Sequence, residues 1–152
     1  MTAPTPREVF LQLVHGVAKA VSDGDASPLP ALYAESTDVS HPMHPARIPP
    51  LTSRADLARH FGVGRAGYVP TVRFQPEAIV VHETADPEVI VAEFEYRGEV
   101  LATGEPFAVP CVFVMRVRAG LIVESRDYID HVAFARARGT LGDLLASARP
   151  TG

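Results

Sequence analysis

The amino-acid sequence predicts an α+β fold, a curved antiparallel sheet with the N-terminal helices on one face. Two changes in pattern carry that prediction. Up to about residue 62 the apolar residues recur at helical spacing, and from Val69 onward the period falls to two over four long runs joined by short turns. The run "PFAVPCVFVMRVR" (106–118) adds a third observation. Phe107, Val109, Cys111, Phe113 and Met115 point one way while Val112 and Val114 point the other, so both faces of this strand are apolar. A sheet with helices on one side and apolar residues on the other needs a cover, and a homodimer through the outer sheet face is expected.

The elements follow in order. "TPREVFLQLVHGVAKAVSDGD" carries a capping box in Thr5 and Glu8, Pro6 at the first helical position and Gly24 at the stop, with Phe10, Leu13, Val14, Val17 and Val21 on one face. "SPLPALYAES" reads as a short second helix capped by Ser27, started by Pro28 and striped by Leu29, Leu32 and Tyr33. "TDVSHP" is a brief strand. After the proline-rich "HPMHPARIPPL", Ser53 and Asp56 cap a third helix whose apolar face is Leu57, Ala58 and Phe61, ended by Gly62 and Gly64. Four strands, "VPTVRFQPEAIVVHE", "EVIVAEFEYRGEV", "PFAVPCVFVMRVR" and "LIVESRDYID", are separated by the turns "TADP", "ATGE" and "AG". Pro76 and Pro110 interrupt strand patterns and mark bulges or edge positions. Asp130 caps a final helix from Val132 to about Ala148, broken at Gly139.

A length of 152 residues is that of one domain spanning 1–152. Hydrophobic residues make up 47% and charged residues 21%, and no apolar stretch is long enough to span a membrane. "VFLQLV" is amphipathic and follows no basic region, so it does not read as a signal peptide, and a cytoplasmic chain is expected. The net charge of −4 without runs of Lys or Arg removes the electrostatic footprint of a nucleic-acid binder. Cys111 is alone, which excludes an intramolecular disulfide and a multi-thiolate metal site.

Chemistry-bearing residues are few. "SHPMHP" places His41 and His44 three apart, each followed by proline. Joint metal coordination would require a third ligand such as Asp38 or His60, and no spacing signals one, so neither a metal nor a cofactor is expected. Alternation on the last strand puts Ser125, Asp127 and Ile129 on one face and Glu124, Arg126 and Tyr128 on the other. An ion pair of Asp127 with Arg116 or Arg126 is the structural alternative to a chemical role. His15 lies on the polar side of the first helix, while His82 and His131 fall near strand ends without an assignable role.

The phrases "SDGDASPLPALYAESTDVSHP", "LTSRADLARHF", "AEFEYRGE" and "GLIVESRDYID", spread over roughly residues 8 to 131, resemble the SnoaL-like polyketide cyclase and ketosteroid isomerase branch of the nuclear-transport-factor-two-like superfamily. The resemblance implies a cone-shaped curved antiparallel sheet with the N-terminal helices packed on its concave face, and one apolar pocket between the two. It places His41 where the isomerases carry their general-base aspartate, and it places Val112 and Val17 where they carry the acid and tyrosine of the oxyanion hole. Steroid isomerase chemistry is therefore not expected. Asp127 stands where the cyclases carry an acidic residue, and with His41 across the pocket it becomes the expected acid/base pair. Tyr33, His44, His60, Phe61, Phe94, Tyr96, Val112, Val114, Arg116 and Ile129 are the expected ligand contacts. Proton transfer on a small apolar oxygenated molecule, a polyketide or terpenoid intermediate, is the leading expectation. A limonene-type epoxide hydrolase and a non-catalytic binding or dimerisation module are the alternatives.

Overall fold

The computed structural model describes residues 2–149. Helix α1 (Pro6–Asp23) begins at the expected capping box, in which the Thr5 hydroxyl accepts from the Glu8 amide and the Glu8 carboxylate accepts from the Thr5 amide. It ends at Gly24, whose φ of 84° is the left-handed conformation glycine adopts without strain. Val9, Phe10, Leu13, Val14 and Ala18 are buried against the sheet. Val17 and Val21 are only half-buried, because that flank of the helix faces a cavity.

The expected second helix is absent. Residues Pro30–Leu32 form a single 3-10 turn, and Tyr33 already begins strand β1 (Tyr33–Ser40). The Ser27 hydroxyl binds the Asp25 carboxylate at 2.6 Å instead of capping a helix, and the chain turns extended at Tyr33, with φ −107° and ψ 149°. Strand β2 (Leu51–Ser53) follows, then α2 (Arg54–His60), where the Ser53 hydroxyl accepts from the Asp56 amide at 3.0 Å as a cap. The Asp56 carboxylate accepts from the Thr52 amide.

Strands β3 (Val72–Glu83), β4 (Val89–Val100), β5 (Pro106–Arg118) and β6 (Leu121–Ile129) are the four long runs read from the sequence. One six-stranded sheet results, in the order β2-β1-β6-β5-β4-β3. It is mixed rather than wholly antiparallel, since β1 runs parallel to β6. Pro76 lies on the edge strand β3, beside a register shift between Glu77 and Val80 at which Ala78 takes a φ of 53°. Pro110 corrects the expectation of a bulge or an edge strand. It sits inside the continuous β4–β5 ladder, but opposite the end of β6, where its carbonyl accepts from the Asp130 amide. Its missing N–H therefore faces a side on which the ladder has stopped. Ala119 and Gly120, with φ of 51° and 78°, close the β5–β6 hairpin as a type I′ pair.

Two short helices, α3 (His131–Arg138) and α4 (Leu141–Ser147), replace the expected single one, separated by Gly139 at φ 74°. The Asp130 carboxylate caps α3 by accepting from the Ala133 amide at 2.9 Å. Between helices and sheet, Phe10, Phe94 and Phe113 meet edge to face with centroids 5.0 to 6.3 Å apart. None of the described helices is long and apolar enough to cross a membrane.

Candidate functional site

The parallel ladder sets the centre of the site. Val39 pairs with Ser125 and Ser40 with Arg126, so His41, the next residue of the chain, falls beside Asp127. Their side chains meet at 3.8 Å between Nε2 and Oδ2, and both are over nine-tenths buried. The sequence reading placed the two on opposite walls. They stand side by side because β1 and β6 are neighbours in the sheet.

Burial dominates the electrostatics. Loss of solvent pushes the Asp127 carboxyl up to about 7, partly offset by the Ser125 hydroxyl, which donates to Oδ1, and by the Arg126 charge. His41 is driven the other way, down to about 3, first by burial and then by the neighbouring His60, His131 and His44. A neutral imidazole thus faces a carboxyl that exchanges its proton near neutral pH, and the contact is not an ion pair there. The expected partners of Asp127 are engaged elsewhere. Arg126 donates to the Asp38 carboxylate at 3.1 Å, and Arg116 donates to Asp86 and Glu88 at 2.8 and 3.2 Å.

A cavity of about 450 Å³ opens over this pair, within the size range of small-molecule sites. Leu13, Val17 and Val21 of α1, with Leu57 and Phe61, form an apolar wall. Four histidines gather at the polar end. His41 and His60 rings lie 4.9 Å apart, and His44 and His131 rings 4.7 Å apart. Local structure fixes each of them. His60 is the last residue of α2, whose start Ser53 sets, and His131 is the first of α3, behind the Asp130 cap. The amide of His44 donates to the His41 carbonyl, and its Nδ1 accepts from the Ala46 amide at 3.1 Å, which leaves Nε2 carrying the proton. Burial lowers His44 and His60, and lowers His131 to about 4. Among the described residues no three His, Cys, Asp or Glu side chains are arranged to hold a metal ion.

Three buried side-chain polar atoms lack a hydrogen-bond partner among the described residues: His41 Nδ1, Tyr96 Oη and His131 Nε2. All three residues line this cavity. A buried polar atom without a partner costs about 1–3 kcal/mol, so their gathering here marks a place where a polar ligand atom or water completes the structure. Tyr33 and Tyr96 have their hydroxyls held well above their ordinary range by burial and the nearby Asp127, and so stay protonated donors.

Of the residues expected to touch a ligand, Tyr33, His44, His60, Phe61, Tyr96 and Ile129 line the cavity with Asp127 and His41. Phe94 does not; it is packed beneath, between Phe10, Tyr96 and Phe113. Val112, Val114 and Arg116 lie on the opposite face of the sheet, since Val109, Cys111, Phe113 and Met115 are the inward residues of β5. Val112 therefore cannot stand for an oxyanion-hole position, and Phe113, its neighbour, occupies the inward place across from Asp127. Arg65, Tyr68, His131, Phe134 and Arg138 line the cavity without having been foreseen. His131, Phe134 and Arg138 follow at spacings of three and four behind the Asp130 cap, a one-faced stripe visible in the sequence.

A small curved α+β domain with a buried carboxyl and imidazole under its helices defines a class, and comparison with known proteins places the chain within it. Residues 14–125 match the SnoaL-like domain, and the chain belongs to that family. The YesE protein of Bacillus subtilis (strain 168), uncharacterised, is 36% identical over 62 residues, 41% of this chain and 42% of that protein. The chain thus matches about two-fifths of that relative's length. A candidate isomerase from Bacillus subtilis superimposes with a TM-score of 0.68 at 21% identity, covering 90% of this chain and 97% of the other. A candidate polyketide cyclase from Pseudomonas putida KT2440 gives 0.60 at 20% identity, over 89% and 98%. A Catenulispora acidiphila protein of ketosteroid isomerase-like fold, solved with trimethylamine, gives 0.60 at 19% identity, over 93% and 98%. At such identities the likeness is one of fold.

Proposed function

We propose that this protein is an acid/base enzyme of the cyclase, isomerase or dehydratase kind, acting on an apolar oxygenated molecule such as a polyketide or terpenoid intermediate. The observation that carries the reading is the Asp127–His41 contact at 3.8 Å, buried at one end of an open cavity. Asp127 gives up its proton near pH 7, which suits a group that must both donate and accept at neutral pH. A ligand carbonyl at that end receives hydrogen bonds from Tyr96 Oη and His131 Nε2. Asp127 or the neutral His41 removes a proton from the adjacent carbon, and the electron pair moves onto the carbonyl oxygen. Return of that proton to another carbon isomerises the ligand, attack of the enolate carbon on a second carbonyl closes a ring, and loss of a β-hydroxyl as water dehydrates it. In each route the ligand is neither oxidised nor reduced.

The epoxide-hydrolase alternative finds less support, because Asp127 is the only carboxylate lining the cavity among the described residues and Arg116 faces away. A binding module without chemistry does not account for a buried carboxyl turned into the cavity beside a neutral imidazole. The reading is tested with a panel of polyketide and terpenoid ketones in deuterated water, following deuterium uptake next to the carbonyl. Asp127→Asn is expected to slow uptake at least about hundredfold. Unchanged exchange in that variant would remove Asp127 from the chemistry.

A further inference from the structure

The far end of the cavity has a different character from the Asp127 end. Helix α3 presents His131, Phe134 and Arg138 along one face, all lining the cavity. His131 and Arg138 are seven residues apart, so about 10 Å of helix separates them. His131 belongs to the histidine cluster, and Arg138 therefore marks the other end. Its guanidinium carbon lies 5.4 Å from the centre of the Phe134 ring, a contact that steadies the cation without neutralising it. Arg65 reaches the same cavity from the loop after α2. Its guanidinium folds back over Gly62, where a Cβ would lie 3.3 Å from the guanidinium carbon, so the glycine leaves room for it.

Arg54, Arg59, Arg97, Arg116, Arg118 and Arg126 are each paired with a carboxylate. Arg65 and Arg138, like Arg7, Arg47, Arg73 and Arg136, have no carboxylate partner among the described residues, and of these only Arg65 and Arg138 line the cavity. Asp127 is the one carboxylate that lines the cavity among the described residues, and it stands with the histidine cluster. Two guanidiniums without carboxylate partners on the lining of one cavity form a receptor for an anion.

We infer that the ligand carries a carboxylate at the end remote from its reacting oxygen, and that Arg65 and Arg138 receive it. The substrate class is thereby narrowed from apolar oxygenated molecules to apolar oxygenated acids. The assignment of reacting and anchoring ends rests on the acid/base reading of Asp127, but the anion preference itself does not.

Two dyes with the same anilinonaphthalene body separate these claims. 1-Anilinonaphthalene-8-sulfonate carries an anion in place of the carboxylate, and N-phenyl-1-naphthylamine carries none. Fluorescence titration of the whole chain should show the anionic dye binding about tenfold or more tightly, the advantage that charge-assisted hydrogen bonds confer. The double variant Arg65→Gln with Arg138→Gln should lose that preference and keep its affinity for the neutral dye. Arg136→Gln, an exposed arginine of α3 outside the cavity lining, should keep both. Asp127→Asn should also keep the preference, so a failure of the proton-transfer reading leaves this result intact. Equal binding of the two dyes, binding of neither, or a preference that survives the double variant would each overturn the inference. So would a preference that survives Val17→Trp, which fills the cavity, since the dye would then sit elsewhere.

Discussion

Replacing Asp127 by Asn should change how stability depends on pH, by an amount the burial of the carboxyl fixes. In the unfolded chain this group releases its proton near 3.8, and in the folded chain near 7. Between those values the folded state binds a proton that the unfolded state does not. The stability Asp127 contributes is therefore whole below about pH 4 and is lost as pH rises toward 7. The slope is about 1.4 kcal/mol per pH unit, so from pH 5 to pH 8 wild type should lose about 3 kcal/mol relative to Asp127→Asn.

The histidines pull the opposite way. His41 and His131, lowered to about 3 and 4, favour folding as pH rises toward 6.5. They are present in both proteins, so the difference between variant and wild type reports the carboxyl together with its coupling to the adjacent His41. Urea unfolding followed by far-ultraviolet circular dichroism at pH 5, 6, 7 and 8 measures it. A difference that stays flat across this range would show that the folded carboxyl is solvated or paired, and the acid/base reading would lose its physical basis.

Two further outcomes test the architecture. A Cβ on Gly98 would lie 1.9 Å from the Arg73 carbonyl oxygen and 2.6 Å from the Phe74 Cα, so Gly98→Ala must push β3 from β4. A loss of about 3 kcal/mol in urea unfolding is expected, and a loss below about 1 kcal/mol would mean that the edge strand yields freely. We also propose that the outer sheet face, where Val112 and Val114 are half-buried and Tyr128 and Val80 exposed, pairs with a second copy. Sedimentation at micromolar concentration should show a dimer that Val112→Glu converts to a monomer, and a monomeric wild type would end the proposal.

The fold was legible because its signals are local. The Thr5–Glu8 capping box, the Ser53 cap and the period-two runs from Val72 to Ile129 each declare an element within a few residues. Short elements were harder. Leu51–Ser53 is too brief to show a period, and "SPLPAL" carries helix-start residues whose Ser27 cap is taken up by Asp25. Asp127 and His41 could be singled out from alternation and resemblance, whereas their adjacency depends on a parallel pairing between strands far apart in the chain. The same limit explains Val112. A displacement of one residue in β5 moves a side chain through the sheet, and the resemblance set that register wrongly. His131 went unassigned because its place depends on where α3 docks, which no local pattern states.

The pairing of β1 with β6 has a practical consequence. Main-chain hydrogen bonds hold Ser40 beside Arg126 and so bring the imidazole next to the carboxyl, and the His44 amide holds the His41 carbonyl from the segment that follows. The stretch from Pro42 to Pro50 is mostly irregular and borders the opening. Changes in it beyond Arg47 would reshape the cavity wall at Ile48, while the ladder and the His44 amide keep the two reacting groups beside each other.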